Sequence, residues 1–148
     1  MDRFPDTATA YNDDYVRWLE QQLGALRRCA FDQLDLANLI LDLELTVQAK
    51  KHEVLSRLRV IMLHLLKCEY QPQRKTPSWL RSLKVQRREL GYLLEESPGL
   101  RHLLPEFCVI SYRRALKDAA SETRQAVDGF PAENPYTVEQ LLDDDFVP

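Results

Sequence analysis

Apolar positions recur at helical spacing along most of the chain. Tyr15, Leu19, Leu23 and Leu26 stand at intervals of 4, 4 and 3 and predict a first helix to about Arg28, apolar along that line and widened by Trp18 and Ala25. Asn12 or Asp13 can cap it, because a side-chain oxygen there accepts a free N–H of the first turn. Asp32 or Asp35 can start a second helix over about 34–46. That helix is apolar on most sides (Leu36, Leu39, Ile40, Leu41, Leu43, Leu45), which predicts a place deep in a bundle. Its polar exceptions Asp35, Asn38 and Asp42 share one edge.

A third helix over about 48–69 can continue from the second, since no Gly or Pro separates them. Val54, Leu58, Ile61, Leu65 and Cys68 make its central stripe, flanked by Leu55, Met62 and Leu66. Pro72 stops it. Thr76 or Ser78, with Pro77 at an early helical position, starts a fourth helix to about Glu96. Trp79, Leu83, Leu90 and Leu93 face inward, and Arg81, Lys84 and Arg88 lie together on the other side. Ser97-Pro98 opens a short helical segment to Leu104, and Pro105 begins a helix to about Thr123 with Cys108, Tyr112, Ala115 and Ala119 inward. Residues 124–136 read as a loop. Thr137 with Gln140 matches a capping box, so a short terminal helix follows over 138–143. The expectation is an all-α, single-domain bundle of five or six helices centred on the second and third, with an arm over 1–12, the bundle over 13–123, and a loop with a short acidic helix over 124–148.

A length of 148 residues suits one domain with a core that stands without staples. Four glycines fit helices better than a sandwich or barrel. The net charge of −3 argues against a molecule that binds nucleic acid over its whole surface. Charge is uneven: residues 67–91 carry seven basic groups against two acids, and residues 132–148 carry five acids and no base. Cys29, Cys68 and Cys108 are odd in number and widely spaced, with no CxxC, so buried free thiols in a reducing cytoplasm are expected. No apolar stretch is long enough to span a membrane.

Several constellations carry candidate chemistry. An Arg a few residues ahead of a His can hold a phosphate while the imidazole moves a proton near neutral pH. Arg59 and Arg57 stand so before His64, with four and six residues between. The plainer reading is a boundary histidine bonded to a neighbouring helix, with an arginine stretched along the rim. A carboxylate–histidine metal site from Asp35, Asp42, Glu44, His52 and His64 lacks the Glu-x-x-His spacing that aims two ligands at one ion. No metal and no cofactor are expected. Arg81, Lys84 and Arg88, with Arg74, Lys75 and the aromatics Tyr70 and Trp79, can track a phosphate backbone or form a solvated face. The segment Tyr136–Phe146 can dock on a partner or fold back on its own bundle, and the second is preferred. No Gly-rich phosphate loop, Ser-His-Asp arrangement or HExxH is present.

Six blocks together resemble one bacterial family: YNDDYVRWLEQQLGALR (11–27), DQLDLANLI (32–40), LSRLRVIMLHLLKCEYQPQR (55–74), SW (78–79), QRREL (86–90) and PYTVEQLLDDDF (135–146). The family is the one called domain of unknown function 29. The resemblance covers nearly the whole chain and implies an all-helical fold; it supplies no catalytic residue. Similar sequences carry more acids in the second helix and often an aromatic where Cys68 stands. The residues therefore point first to a non-catalytic interaction or assembly module that binds an unknown protein partner or a second copy through an apolar helix face. The alternative is an RNA-binding or RNA-cleaving helical protein using Arg57, His64 and the basic face.

Overall fold

A computed structural model describes residues 9–148, so of the arm expected over 1–12, residues 1–8 lie outside the described part. The fold is all-α. Its helices are α1 (Tyr15–Arg27), α2 (Leu36–Tyr70), α3 (Pro77–Glu96), α4 (Leu104–Thr123) and the short α5 (Val138–Leu142), joined by single 3-10 turns. The second and third expected helices are one continuous α2. The chain divides into two compact units, the first ending at Gln48 and the second running from Ala49 to Pro148.

In the first unit α1 lies antiparallel to the start of α2. Asp14, one residue beyond the expected caps, accepts from the Arg17 N–H and starts α1. Asp35 starts α2 by accepting from the Asn38 N–H. The polar edge of α2 receives α1. Trp18 Nε1 donates to Asp35 (3.1 Å), the Asp35 N–H donates to Gln22 (2.7 Å), and the Tyr15 hydroxyl donates to Asp42 (2.8 Å). Tyr11 packs edge-on against Trp18 at 4.8 Å between ring centroids. The buried line of α1 is therefore Trp18, Gln22 and Ala25. The expected line of Tyr15, Leu23 and Leu26 is exposed, because hydrogen-bonded polar and aromatic groups seat the helix and turn the leucines aside. The second correction is larger. Leu36, Ile40, Leu41, Leu43 and Leu45 were expected deep in a bundle and are exposed, because among the described residues of this unit α1 packs on the polar edge of α2 and not on its leucines.

α1 ends in a left-handed residue. Cys29 has φ 56°, and the next N–H, of Ala30, returns to the Ala25 carbonyl (2.8 Å), a closure that glycine makes without the Cβ penalty. Cys29→Gly is expected to raise stability by about 0.5–1 kcal/mol, read as a higher thermal midpoint.

The second unit holds the core. Val54, Leu58, Ile61, Leu65 and Cys68 of α2 are all buried, as their spacing predicts, and meet Leu83, Leu90 and Leu93 of α3 and Cys108, Tyr112, Ala115 and Ala119 of α4. Thr76 caps α3 with Pro77 in its first turn. The capping box of Thr137 and Gln140 forms at α5. The terminal segment folds back on this unit, with Leu141 and Tyr136 buried and Phe146 and Val147 partly so. Arg87 holds it there. Its buried guanidinium donates to the carbonyls of Leu141 (3.0 Å), Phe146 (2.8 Å) and Gln140 (2.9 Å).

Candidate functional site

The arginines ahead of His64 are engaged on different helices. Arg57 donates to Gln86 on α3 (3.0 Å) and pairs with Glu53 (3.3 Å). Arg59 makes a two-pronged pair with Asp118 on α4, its Nη2 at 2.8 Å from the second oxygen. No hydrogen bond joins either one to His64. His64 is half-buried, and its Nδ1 has no hydrogen-bond partner. An open cleft of about 390 Å³ brings together His52, Glu53, Ser56, Arg57 and Gln86, but Arg57 is already spent on two of those neighbours.

Burial lowers the pKa of His64 below its ordinary 6.5, nearby Lys67 lowers it further, and Glu122 opposes them. The sign follows directly. Above pH 6.5 the imidazole is neutral in both states and contributes no pH dependence. Below it the unfolded chain takes up the proton first, so stability falls as pH drops. His64→Gln should flatten that fall. Urea unfolding at pH 7 and pH 5 is expected to show a smaller loss in the variant than in the unsubstituted chain.

Arg81, Lys84 and Arg88 stand on one face of α3. Arg74, Arg81 and Lys84 are exposed, Lys75 reaches the Pro148 carbonyl (3.4 Å), and Arg88 lies beside Glu89 (3.4 Å). Lys67 sits over the Trp79 ring at 4.4 Å and pairs with Glu122 (2.7 Å). Trp79 is half-buried against the core, which limits the ring face left for a base. The acids proposed for a metal are used otherwise: Asp35 accepts from Trp18 and Asn38, and Asp42 from Tyr11 and Tyr15. Among the described residues no group of three His, Cys, Asp or Glu is placed to hold a metal ion. Cys68 and Cys108 are buried free thiols, with burial pushing Cys108 up to about 11, whereas Cys29, expected buried, is exposed. A thiol held that high stays protonated near neutral pH and is a poor nucleophile.

What stands out is apolar. Leu23, Leu26, Leu36, Ile40, Leu43 and Val47 of the first unit are between 44% and 66% exposed. A shallow groove of about 510 Å³ runs along α2, lined by Ile40, Leu41, Leu43, Glu44, Leu45, Val47 and Gln48. Scattered exposed leucines are ordinary; these six stand together on one short hairpin. Sequence reading found these residues and misplaced them, since periodicity identifies an apolar face without saying what lies on it. It missed Arg87 altogether. The signal was there: Leu83, Arg87, Leu90 and Leu94 share one stripe, and a cation in such a stripe needs a built partner.

Among the described residues no helix is long and apolar enough to cross a membrane. No curated protein and no solved structure matches the chain. One family model does match, that of Domain of unknown function DUF29, over residues 10–147; the chain belongs to that family.

Proposed function

We propose that this protein is a non-catalytic helical interaction module of the cytoplasm, and that it docks on a protein partner through the apolar face of the α1–α2 hairpin. One observation carries the reading: the leucine-rich face of a two-helix unit is left open. An amphipathic helix pair gains little from exposing such a face and much from burying it, at about 25 cal/mol for each Å² removed from water. The commitment of Arg57 and Arg59 to Gln86, Glu53 and Asp118 supports it as well, because a phosphate-binding role needs a free guanidinium. Three free cysteines suit a reducing compartment.

The test is a photo-activatable residue placed at position 40 in the living cell, with position 20, the exposed Glu20 of α1, as the control. A nuclease-resistant adduct at position 40 and none at position 20 is expected. No adduct above the control overturns the reading. A nuclease-sensitive adduct overturns it in favour of RNA binding.

A further inference from the structure

The geometry of the hairpin narrows the occupant of its open face, and this inference rests on the interaction reading above. The two helices run antiparallel, since Tyr15 reaches Asp42 while Trp18 and Gln22 reach Asp35. On α1 the leucine line of Leu19, Leu23 and Leu26 lies about 100° around the axis from the buried line of Trp18, Gln22 and Ala25, at 100° per residue. On α2 the line of Leu36, Ile40, Leu43 and Val47 lies about 135° from the edge of Asp35, Asn38 and Asp42, in the same rotational sense. In an antiparallel pair, equal-sense rotations away from the shared contact bring both lines to the same side of the pair. The hairpin is thus a single layer of two helices with both leucine lines on one side. Neither leucine line contains a charged residue, and Arg17, Glu20, Arg27, Asp42 and Glu44 all lie off them.

We propose that a second copy of this chain covers that side, so that two hairpins stack leucine line on leucine line as a four-helix bundle. Area supports this. Six leucine-sized side chains about half exposed present on the order of 600 Å² of apolar surface. With Tyr15, Leu19 and the polar rim, the face approaches the roughly 800 Å² per partner of a stable interface. Width supports it too. The face is two helices across and the groove is lined by α2 alone, so a single peptide helix in the groove would leave the α1 line open, whereas a second two-helix layer covers both lines. A two-fold axis supplies a surface of matching length, width and lack of charge. A membrane surface fits poorly, because residues 9–48 carry seven acids against three arginines, and anionic lipid repels that balance. Val109 of α4, also exposed, lies off the hairpin and serves as the control.

The experiment is light scattering after size exclusion of the full chain, from low to high micromolar, at high salt. Reductant is needed because Cys29 is exposed. The expected mass is twice the 17.3 kDa of one chain. Ile40→Asp with Leu43→Asp is expected to weaken self-association by roughly 100-fold or more, giving a one-chain mass with unchanged helical circular dichroism, while Val109→Asp keeps the doubled mass. A one-chain mass for the unsubstituted protein at every concentration overturns the proposal, as does a doubled mass that survives the double substitution. Should the double variant lose its helical signal, a photo-activatable residue at position 43 of the purified, otherwise unsubstituted chain decides: a two-chain adduct supports the second copy, and its absence overturns it. The two readings fail separately. A one-chain mass together with an in-cell adduct to a different protein at position 40 removes only the second copy, and no adduct in the cell removes both.

Discussion

Arg87→Met is expected to destabilise the Ala49–Pro148 unit by about 3–5 kcal/mol, the range for removing one partner of a buried charge network. Arg87 is 3% exposed and serves three carbonyls from two turns of the terminal segment. Burial lowers the pKa of its guanidinium, and Asp144 and Asp143 nearby partly restore it. Methionine fills much of the volume but donates nothing. Either the three carbonyls stay buried without donors, or the segment lifts off and exposes Leu141, which is fully buried. Both outcomes are costly. Urea unfolding should show the loss, and amide exchange should rise first over residues 138–147. Arg87→Lys should recover only part, since one ammonium cannot span three acceptors held by a planar fork. A change below about 1 kcal/mol would mean the segment is held by its apolar side chains instead.

The second large effect is a contrast between two leucines of α2. Leu36, Ile40, Leu43 and Val47 form a line at helical spacing in the first unit, and Val54, Leu58, Ile61, Leu65 and Cys68 form one in the second. Leu65 is fully buried and Leu43 is 66% exposed. Leu65→Ala is expected to cost about 2–5 kcal/mol, from lost burial and the cavity left between α2, α3 and α4. Leu43→Ala, in protein dilute enough to be unassociated, should change stability by no more than about 0.5 kcal/mol, since alanine is the better helix former and no cavity opens. At high concentration the unsubstituted chain should gain thermal stability that Leu43→Ala lacks, because association stabilises the folded state by mass action. Thermal scans at two concentrations measure both effects together.

That contrast also shows what the residues conveyed and what they withheld. Helix ends were legible because their chemistry is local. Thr76-Pro77, the Thr137–Gln140 box and the stop at Pro72 each act within a turn or two, and each forms where its spacing predicts. The core stripe of α2 was legible because α3 and α4 carry matching stripes later in the chain. The outer half of α2 carries an equally apolar stripe, and its burial depends on whatever covers it, which the stripe itself does not encode. On α1 the leucine spacing competed with Trp18, Gln22 and the tyrosines. Their hydrogen bonds to Asp35 and Asp42 are directional and decided the rotation of the helix. The polar edge of α2, weighed as part of a metal site through Asp35 and Asp42, is the seat of α1. For the candidate site, individual residues were visible, but the engagement of Arg57 with Gln86 and of Arg59 with Asp118 spans distant parts of the chain.

The docking face is tested most directly by covalent footprinting of its side chains inside the cell, compared with dilute purified protein. In dilute protein Ile40 and Leu43 should label strongly, as their exposure requires. In the cell their labelling should fall towards the low level of buried Leu65, while exposed Val109 of α4 keeps its dilute value. Equal labelling of Ile40 and Leu43 in the two settings would contradict a docking role for this face.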